Sequence, residues 1–165
     1  MARQKTPKWW RVTQADWIHA ARTSIAALIS LVVARLFRLP EAYWAAITTI
    51  IVTQSTLGAA LTVSKQRLAG TAIGAVLGAL TATYVGSNAM AFAAGVFMCG
   101  LICSELRIEQ AAYRYAGITL AIVMLAVRTE APWIIAIHRF LEISIGIAVA
   151  LILTALWPER KPASL

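Results

Sequence analysis

Charge is what this chain has least of. Asp, Glu, Lys and Arg together make up 13% of its 165 residues, against roughly 25% in an average soluble domain. A soluble fold of this length needs polar side chains to cover its surface, and too few are available. Cysteine is almost absent: Cys99 and Cys103 stand one helical turn apart in an apolar run. That excludes a disulfide framework and a zinc site, and leaves core packing by two small apolar side chains. No segment alternates with period two, so strands are not expected, and open strand edges do not face lipid. The glycine-rich run from Gly70 to Gly78 lacks the Gly-Lys-Ser/Thr ending of a phosphate loop. No paired nucleophile and base, no metal-ligand spacing and no cofactor fingerprint is present. An enzyme is therefore not expected, nor is a bound metal or cofactor.

Apolar residues, by contrast, make up 60% of the chain, and mean hydropathy is +0.74. Lipid must cover what polar side chains do not. Apolar runs at about 18–37, 43–61, 67–85, 89–104, 111–127 and 133–157 each lie near the roughly 20 residues that cross a bilayer core. The expected fold is an all-α membrane protein, a six-transmembrane-helix bundle forming one domain. Residues 1–17 form an interfacial tail and residues 158–165 a second short tail. The expected breaks are 38–41 around Pro40, the polar stretch 62–66, 86–88, the charged stretch 105–110, and 128–132. The first run carries Arg22 and Arg35 and is expected to stay as the first helix instead of being cleaved.

Net charge is +8. The cations are scattered between apolar runs, which reads as membrane topology and not as a nucleic-acid surface. With the N-terminus in the cytoplasm, inner segments hold Arg3, Lys5, Lys8, Arg11, Lys65, Arg67, Arg107, Arg160 and Lys161, and outer segments hold Arg38 and Arg128. That is nine against two, so both termini are expected in the cytoplasm. Trp10, Trp17, Tyr113 and Trp157 then form the inner aromatic belt, and Tyr43, Trp44, Tyr84 and Trp133 the outer one. Arg22, Arg35 and Arg114, near span ends, are expected to snorkel to headgroups.

The chain resembles itself. Trp44-Ala45-Ala46-Ile47-Thr48 matches Tyr115-Ala116-Gly117-Ile118-Thr119 at a shift of 71 residues, and Gln66-Arg67 with Gly74 matches His138-Arg139 with Gly146 at a shift of 72. Helices 1–3 would then repeat as helices 4–6, with opposite orientation because three is odd. Such inverted repeats place a site near the midplane between the halves.

Several polar residues sit in apolar surroundings. Gly70, Gly74 and Gly78 make a smooth helix face for a close neighbour. Thr49, Thr53 and Thr56 form a polar stripe with Gln54 beside them. Their hydroxyls either bond their own backbone one turn back or line a pathway. His138, Arg139 and Glu142 share about one turn of the last helix. Ionisable groups at such depth face a cavity or a partner. Arg139 and Glu142 are either a structural pair, or Arg139 binds an anion while His138 or Glu142 carries a proton.

From Tyr43-Trp44-Ala45-Ala46-Ile47-Thr48, through Gln54-Ser55-Thr56-Leu57-Gly58-Ala59, to Gln66-Arg67-Leu68-Ala69-Gly70-Thr71, the chain resembles the FUSC family. This is the fusaric acid resistance and aromatic acid exporter group of bacterial inner-membrane proteins. The likeness extends through Tyr113-Arg114-Tyr115-Ala116-Gly117-Ile118-Thr119 to Trp157-Pro158, although many relatives have Pro where Ser55 stands. The resemblance implies a multi-pass inner-membrane transporter that exports small aromatic or other organic carboxylates, driven by the proton gradient. It brings no agreed site residues with it. On the physical reading, Arg139 and Arg67 hold the carboxylate and Thr49, Thr53 and Gln54 contact the rest. Helices 2, 3, 5 and 6 line the cavity. Larger members carry cytosolic domains; with none here, a homodimer or higher homo-oligomer in the bilayer is expected. An organic-anion channel and an accessory subunit without its own pathway are the alternatives. The charge count predicts that a fluorescent protein fused after Leu165 folds and fluoresces in bacterial cells, and that alkaline phosphatase fused there stays inactive.

Overall fold

Apolar, helix-forming runs separated by turns fold into six α-helices, and no strand occurs among the described residues. They are α1 (Gln14–Leu36), α2 (Tyr43–Val52), α3 (Leu57–Tyr84), α4 (Ala89–Glu105), α5 (Gln110–Leu125) and α6 (Pro132–Leu156). The computed structural model describes residues 14–126 and 130–157. Arg3, Lys5, Lys8, Arg11, Arg128, Arg160 and Lys161 of the topology count lie outside the described residues, as do Trp10 of the inner aromatic belt and both expected tails beyond Gln14 and Trp157.

The helix ends follow local chemistry. Thr56 and Asn88 cap α3 and α4, their side-chain oxygens accepting from the amides of Ala59 (3.3 Å) and Ala91 (2.8 Å). Pro132 opens α6, where its missing N–H costs nothing. Helices α1 and α4 end alike. The amides of Leu39 and Ile108 donate back to the carbonyls of Ala34 (3.2 Å) and Cys103 (3.0 Å). Arg38 (φ 54°) and Arg107 (φ 51°) take the left-handed conformation between them.

One break differs from expectation. The second helix does not run to residue 61 and then turn at 62–66. It ends at Val52, and the chain is extended at Thr53 (φ −64°, ψ 111°) before Thr56 caps α3. Lys and Gln are good helix formers. The Thr62 hydroxyl donates to the Gly58 carbonyl (3.1 Å) inside the helix, so the polar stretch 62–66 continues α3. Lys65 and Arg67, counted above as loop cations, therefore belong to α3. Two of the expected spans change length as a result. Helix α2 has 10 residues, about 15 Å, and α3 has 28, about 42 Å.

Two helices, Asp16–Leu36 of α1 and α6, are long and apolar enough to cross a membrane. Helices α2 and α4 are apolar but shorter. Large apolar side chains point outward on every helix: Leu28, Ile50, Val76, Phe97, Ile118 and Ile137 are all exposed. The buried set is rich in Ala and Thr and includes Arg22, Arg67, Arg139 and Glu142, beside fewer large apolar side chains such as Leu120 and Ile143. This inversion of the soluble pattern is what a lipid solvent selects, since helices in lipid associate through small residues and internal polar contacts. The protein is a membrane protein.

Small residues set the spacing. A Cβ at Gly70 or Gly74 of α3 would overlap the carbonyl oxygen of Ala112 or Ala116 in α5, and one at Gly146 of α6 would overlap that of Ala45 in α2. Helix α3 also packs on α4 and α6, α6 on α1, α1 on α2, and α4 on α5, with lighter contacts between α2 and α3 and between α5 and α6.

Arg22 does not snorkel. It is 1% exposed, and its terminal nitrogens donate to the carbonyls of Trp157 and Gln54, each at 2.8 Å. Carbonyls past a helix end have no intrahelical donor, and Arg22 supplies one to the ends of both α6 and α2. Arg35 and Arg114 are exposed.

Gly117 has open space around its Cβ position, whereas Gly74 faces a fixed backbone oxygen. Gly117→Ala is expected to raise the melting temperature in detergent through about 0.5–1 kcal/mol. Gly74→Ala is expected to lower it through about 1–3 kcal/mol.

Candidate functional site

A guanidinium inside an apolar bundle needs a counter-charge or strong hydrogen-bond acceptors. Arg139 lies seven residues beyond Pro132 in α6 (139 − 132), about 10 Å along the axis, and is 1% exposed. It ion-pairs with Glu41, in the turn before α2, and with Glu142, one turn further along α6 (Nη1 to Oε2, 3.1 Å). Its guanidinium carbon sits 4.7 Å from the ring centre of Trp44. The network closes on itself. The Glu41 amide donates to Glu142 Oε1 (2.9 Å), and the Trp44 indole N–H donates to Glu41 Oε2 (3.0 Å).

Arg67 is placed differently. It lies ten residues beyond Leu57 in α3 (67 − 57), about 15 Å along the axis, and is 4% exposed. Its Nε donates to Thr48 Oγ1 (3.2 Å), and its guanidinium carbon lies 4.8 Å from the ring centre of Tyr115. Among the described residues no carboxylate lies within salt-bridge reach of it.

The two arginines face one enclosed cavity of about 10 Å³, lined also by Trp44, Thr71, Tyr115 and Thr119. That is room for a single water. Arg139 Nε and Thr71 Oγ1 are buried there with no hydrogen-bond partner, and buried polar atoms are nearly always satisfied. Two guanidinium groups, two hydroxyls and two aromatic faces are chemically suited to a carboxylate on a flat apolar body. No organic molecule fits in this closed conformation. A larger groove of about 480 Å³, between Ala72, Ala75, Trp133 and Phe140, is almost wholly apolar and offers no such chemistry.

Not every sequence-derived candidate arrives at this cavity. Arg67 and Arg139 do. Glu142 adjoins it through Arg139. Thr49 spends its hydroxyl on the carbonyls of Ala45 (2.9 Å) and Gly146 (3.0 Å), at the contact of α2 with α6. Thr53 donates to the Thr49 carbonyl (2.7 Å) and Gln54 Nε2 to that of Ile51 (3.2 Å). The stripe is thus mostly back-bonded, and it is split, since Thr56 caps the next helix. His138 lies apart from Glu142, with Nδ1 3.8 Å from Glu130 Oε2. Sequence reasoning missed Glu41, Trp44, Thr71, Tyr115 and Thr119 as site residues. Trp44 with Tyr115 and Thr48 with Thr119 stand at matching places in the internal repeat, and that was the available signal. Glu41 carried none, since a carboxylate in a turn reads as solvated. No cluster of His, Cys, Asp or Glu among the described residues would hold a metal.

Residues 25–153 match the family model described as fusaric acid resistance protein-like. The chain belongs to the fusaric acid resistance protein-like family. It is 31% identical over 165 residues to the uncharacterized transporter YdhK of Escherichia coli K12, covering 94% of this chain and 25% of that protein. It is 30% identical over 155 residues to YdhK of Salmonella typhimurium LT2, covering 88% of this chain and 23% of that protein. It is 29% identical over 149 residues to the inner membrane protein YeeA of Escherichia coli K12, covering 87% of this chain and 41% of that protein. The chain thus spans about a quarter of the length of the YdhK proteins. No solved structure matches it. In this family member, Glu142→Ala removes one of the two carboxylates of a buried arginine. A loss of about 3–5 kcal/mol is expected, read as a fall in thermal midpoint, and Arg139→Met combined with Glu142→Leu is expected to recover part of it.

Proposed function

We propose that this family member forms the membrane pathway of a transporter for small organic anions, aromatic carboxylates included, in the bacterial inner membrane. The observation that carries this reading is the shared cavity of Arg67 and Arg139. Two buried cations face one space, and among the described residues only Arg139 has carboxylates of its own. The built-in pair is the structural use of Arg139. The guanidinium of Arg67, with no carboxylate of its own among the described residues and an unpartnered Thr71 hydroxyl beside it, is what an incoming anion would complete.

The proposed architecture is six spans in two inverted halves, with both termini cytoplasmic. Exchanging α1, α2 and α3 with α4, α5 and α6 maps every helix contact onto a contact of the set, α3 with α6 onto itself. Arg67 over Tyr115 answers Arg139 over Trp44. Gly74 on Ala116 answers Gly146 on Ala45. The short helices α2 and α5 each end in an extended residue, Thr53 (φ −64°, ψ 111°) and Ala126 (φ −66°, ψ 124°), ahead of a long helix. Short segments at matching places in two halves point to a binding site at the midplane. Export is the proposed direction, coupling to protons the proposed mode, and a homodimer the proposed assembly, two-fold association being commonest. The transporter named among the relatives, YdhK, supports the class.

The purified chain, reconstituted into liposomes loaded with radiolabelled benzoate, is expected to release it in a saturable manner. Arg67→Gln is expected to slow release at least about tenfold, the cost of losing a charge-assisted contact, while keeping its thermal midpoint. Unchanged flux in Arg67→Gln ends the assignment. Benzoate currents that follow the anion gradient and ignore pH would make the chain a channel. Absence of any flux would leave an accessory subunit.

A further inference from the structure

We infer that Glu41 is the proton site of the transporter and that the proton and the organic anion bind together, not in exchange. The inference rests on the anion site proposed above and gives the sign of its coupling. Around the cavity stand two cations, Arg67 and Arg139, and two carboxylates on Arg139, Glu41 and Glu142. With both carboxylates ionised, these four charges sum to zero. An entering carboxylate leaves the group one charge negative in a site shielded from water, which is costly. Protonating one built-in carboxylate restores neutrality, so proton and anion favour each other.

Geometry chooses between the two carboxylates. Glu142 is 0% exposed, and its oxygens are engaged by the Glu41 amide and by Arg139. The Glu41 side chain is 19% exposed, in the turn between α1 and α2 at the end of the bundle. It is the one of the two that a proton reaches from water. Its Oε2 also holds Arg139, and Glu41 is not itself among the residues that line the cavity. Neutralising it frees that guanidinium, whose Nε already lacks a partner, for the incoming anion. The other titratable groups on the elements packed there are Arg35 at the end of α1 and Arg38 in the turn, both exposed, Tyr43 at the start of α2, exposed and acting electrostatically on Arg139, and His138, which faces Glu130. Substrate anion and Glu41 thus compete for one cation, and a proton on Glu41 settles the competition in favour of the substrate. By reciprocity, anion binding draws a proton in. Proton and anion then move in the same direction as a neutral pair, so the anion's own gradient drives export, in place of the proton gradient that the family resemblance implies.

Titration calorimetry of the purified full chain with benzoate tests this. Repeating it in buffers of different ionisation heat counts the protons taken up per anion bound. The wild-type chain is expected to take up protons, approaching about one per benzoate, and to bind up to about tenfold more weakly for each pH unit above the Glu41 titration. Glu41→Gln is expected to bind benzoate with no proton uptake and a flat pH profile, and His138→Gln to keep the wild-type uptake. Proton release or zero uptake in the wild-type chain overturns the inference, as does unchanged uptake in Glu41→Gln. The wild-type count depends on no variant folding. Benzoate binding that Arg67→Gln abolishes, yet that carries no protons, overturns the coupling and leaves the anion site standing. No saturable binding at any pH overturns the anion site, and the coupling with it.

Discussion

Arg139 cannot sit seven residues into an apolar helix without a counter-charge, and the way the bundle supplies it governs the arrangement around it. Glu142 comes from the same helix and would be there in any fold. Glu41 comes from the turn before α2, and its pairing with Arg139 anchors that turn to α6. The indole of Trp44 is oriented by the same carboxylate, and its ring lies against the guanidinium. Breaking such a network is costly because each member, left alone, is a polar group buried without water. Arg67 meets the same constraint with weaker means, a hydroxyl and an aromatic ring. The difference between the two arginines is the electrostatic basis of the site.

Backbone proximity is the second constraint. Lipid gives apolar side chains no reason to hide, so the helices are held by close contact and internal polar bonds. Gly70 and Gly74 bring α3 onto α5, and Gly146 brings α6 onto α2. Thr49 adds a hydrogen bond across the second of these contacts. The result is an interior so closely filled that about 10 Å³ is left between the arginines. A carboxylate with a ring attached needs the surrounding helices to part. The extended residues after α2 and α5 lie next to the helices that would have to move.

Much of the fold was legible. All-helical structure followed from apolar runs without period-two alternation, and four of the six helices begin and end within about two residues of expectation at most of their ends, the usual scatter of helix boundaries. The α2–α3 break differs from expectation because polar residues signal a turn only where they are not also compatible with helix. Lys65, Gln66 and Thr62 are compatible with helix, and the decisive feature was the threonine that caps at position 56. Arg22 departs from expectation for a related reason. Its distance from the span end is the same whether it reaches headgroups or the carbonyls of Trp157 and Gln54.

Composition determined that this chain lies in a membrane, because 13% charged residues against 60% apolar ones leave too few polar side chains to cover a surface in water, and apolar runs without period-two alternation determined that it does so as helices. Sequence also singled out Arg67 and Arg139, since ionisable groups in apolar helices are costly enough to be conspicuous. Which partners they have was decided only by tertiary structure. Glu41 and Arg139 are 98 residues apart, and Arg67 and Tyr115 are 48 apart (115 − 67). No local periodicity encodes a pairing over such a separation. It exists because close helix packing brings those particular side chains to a common space that excludes water.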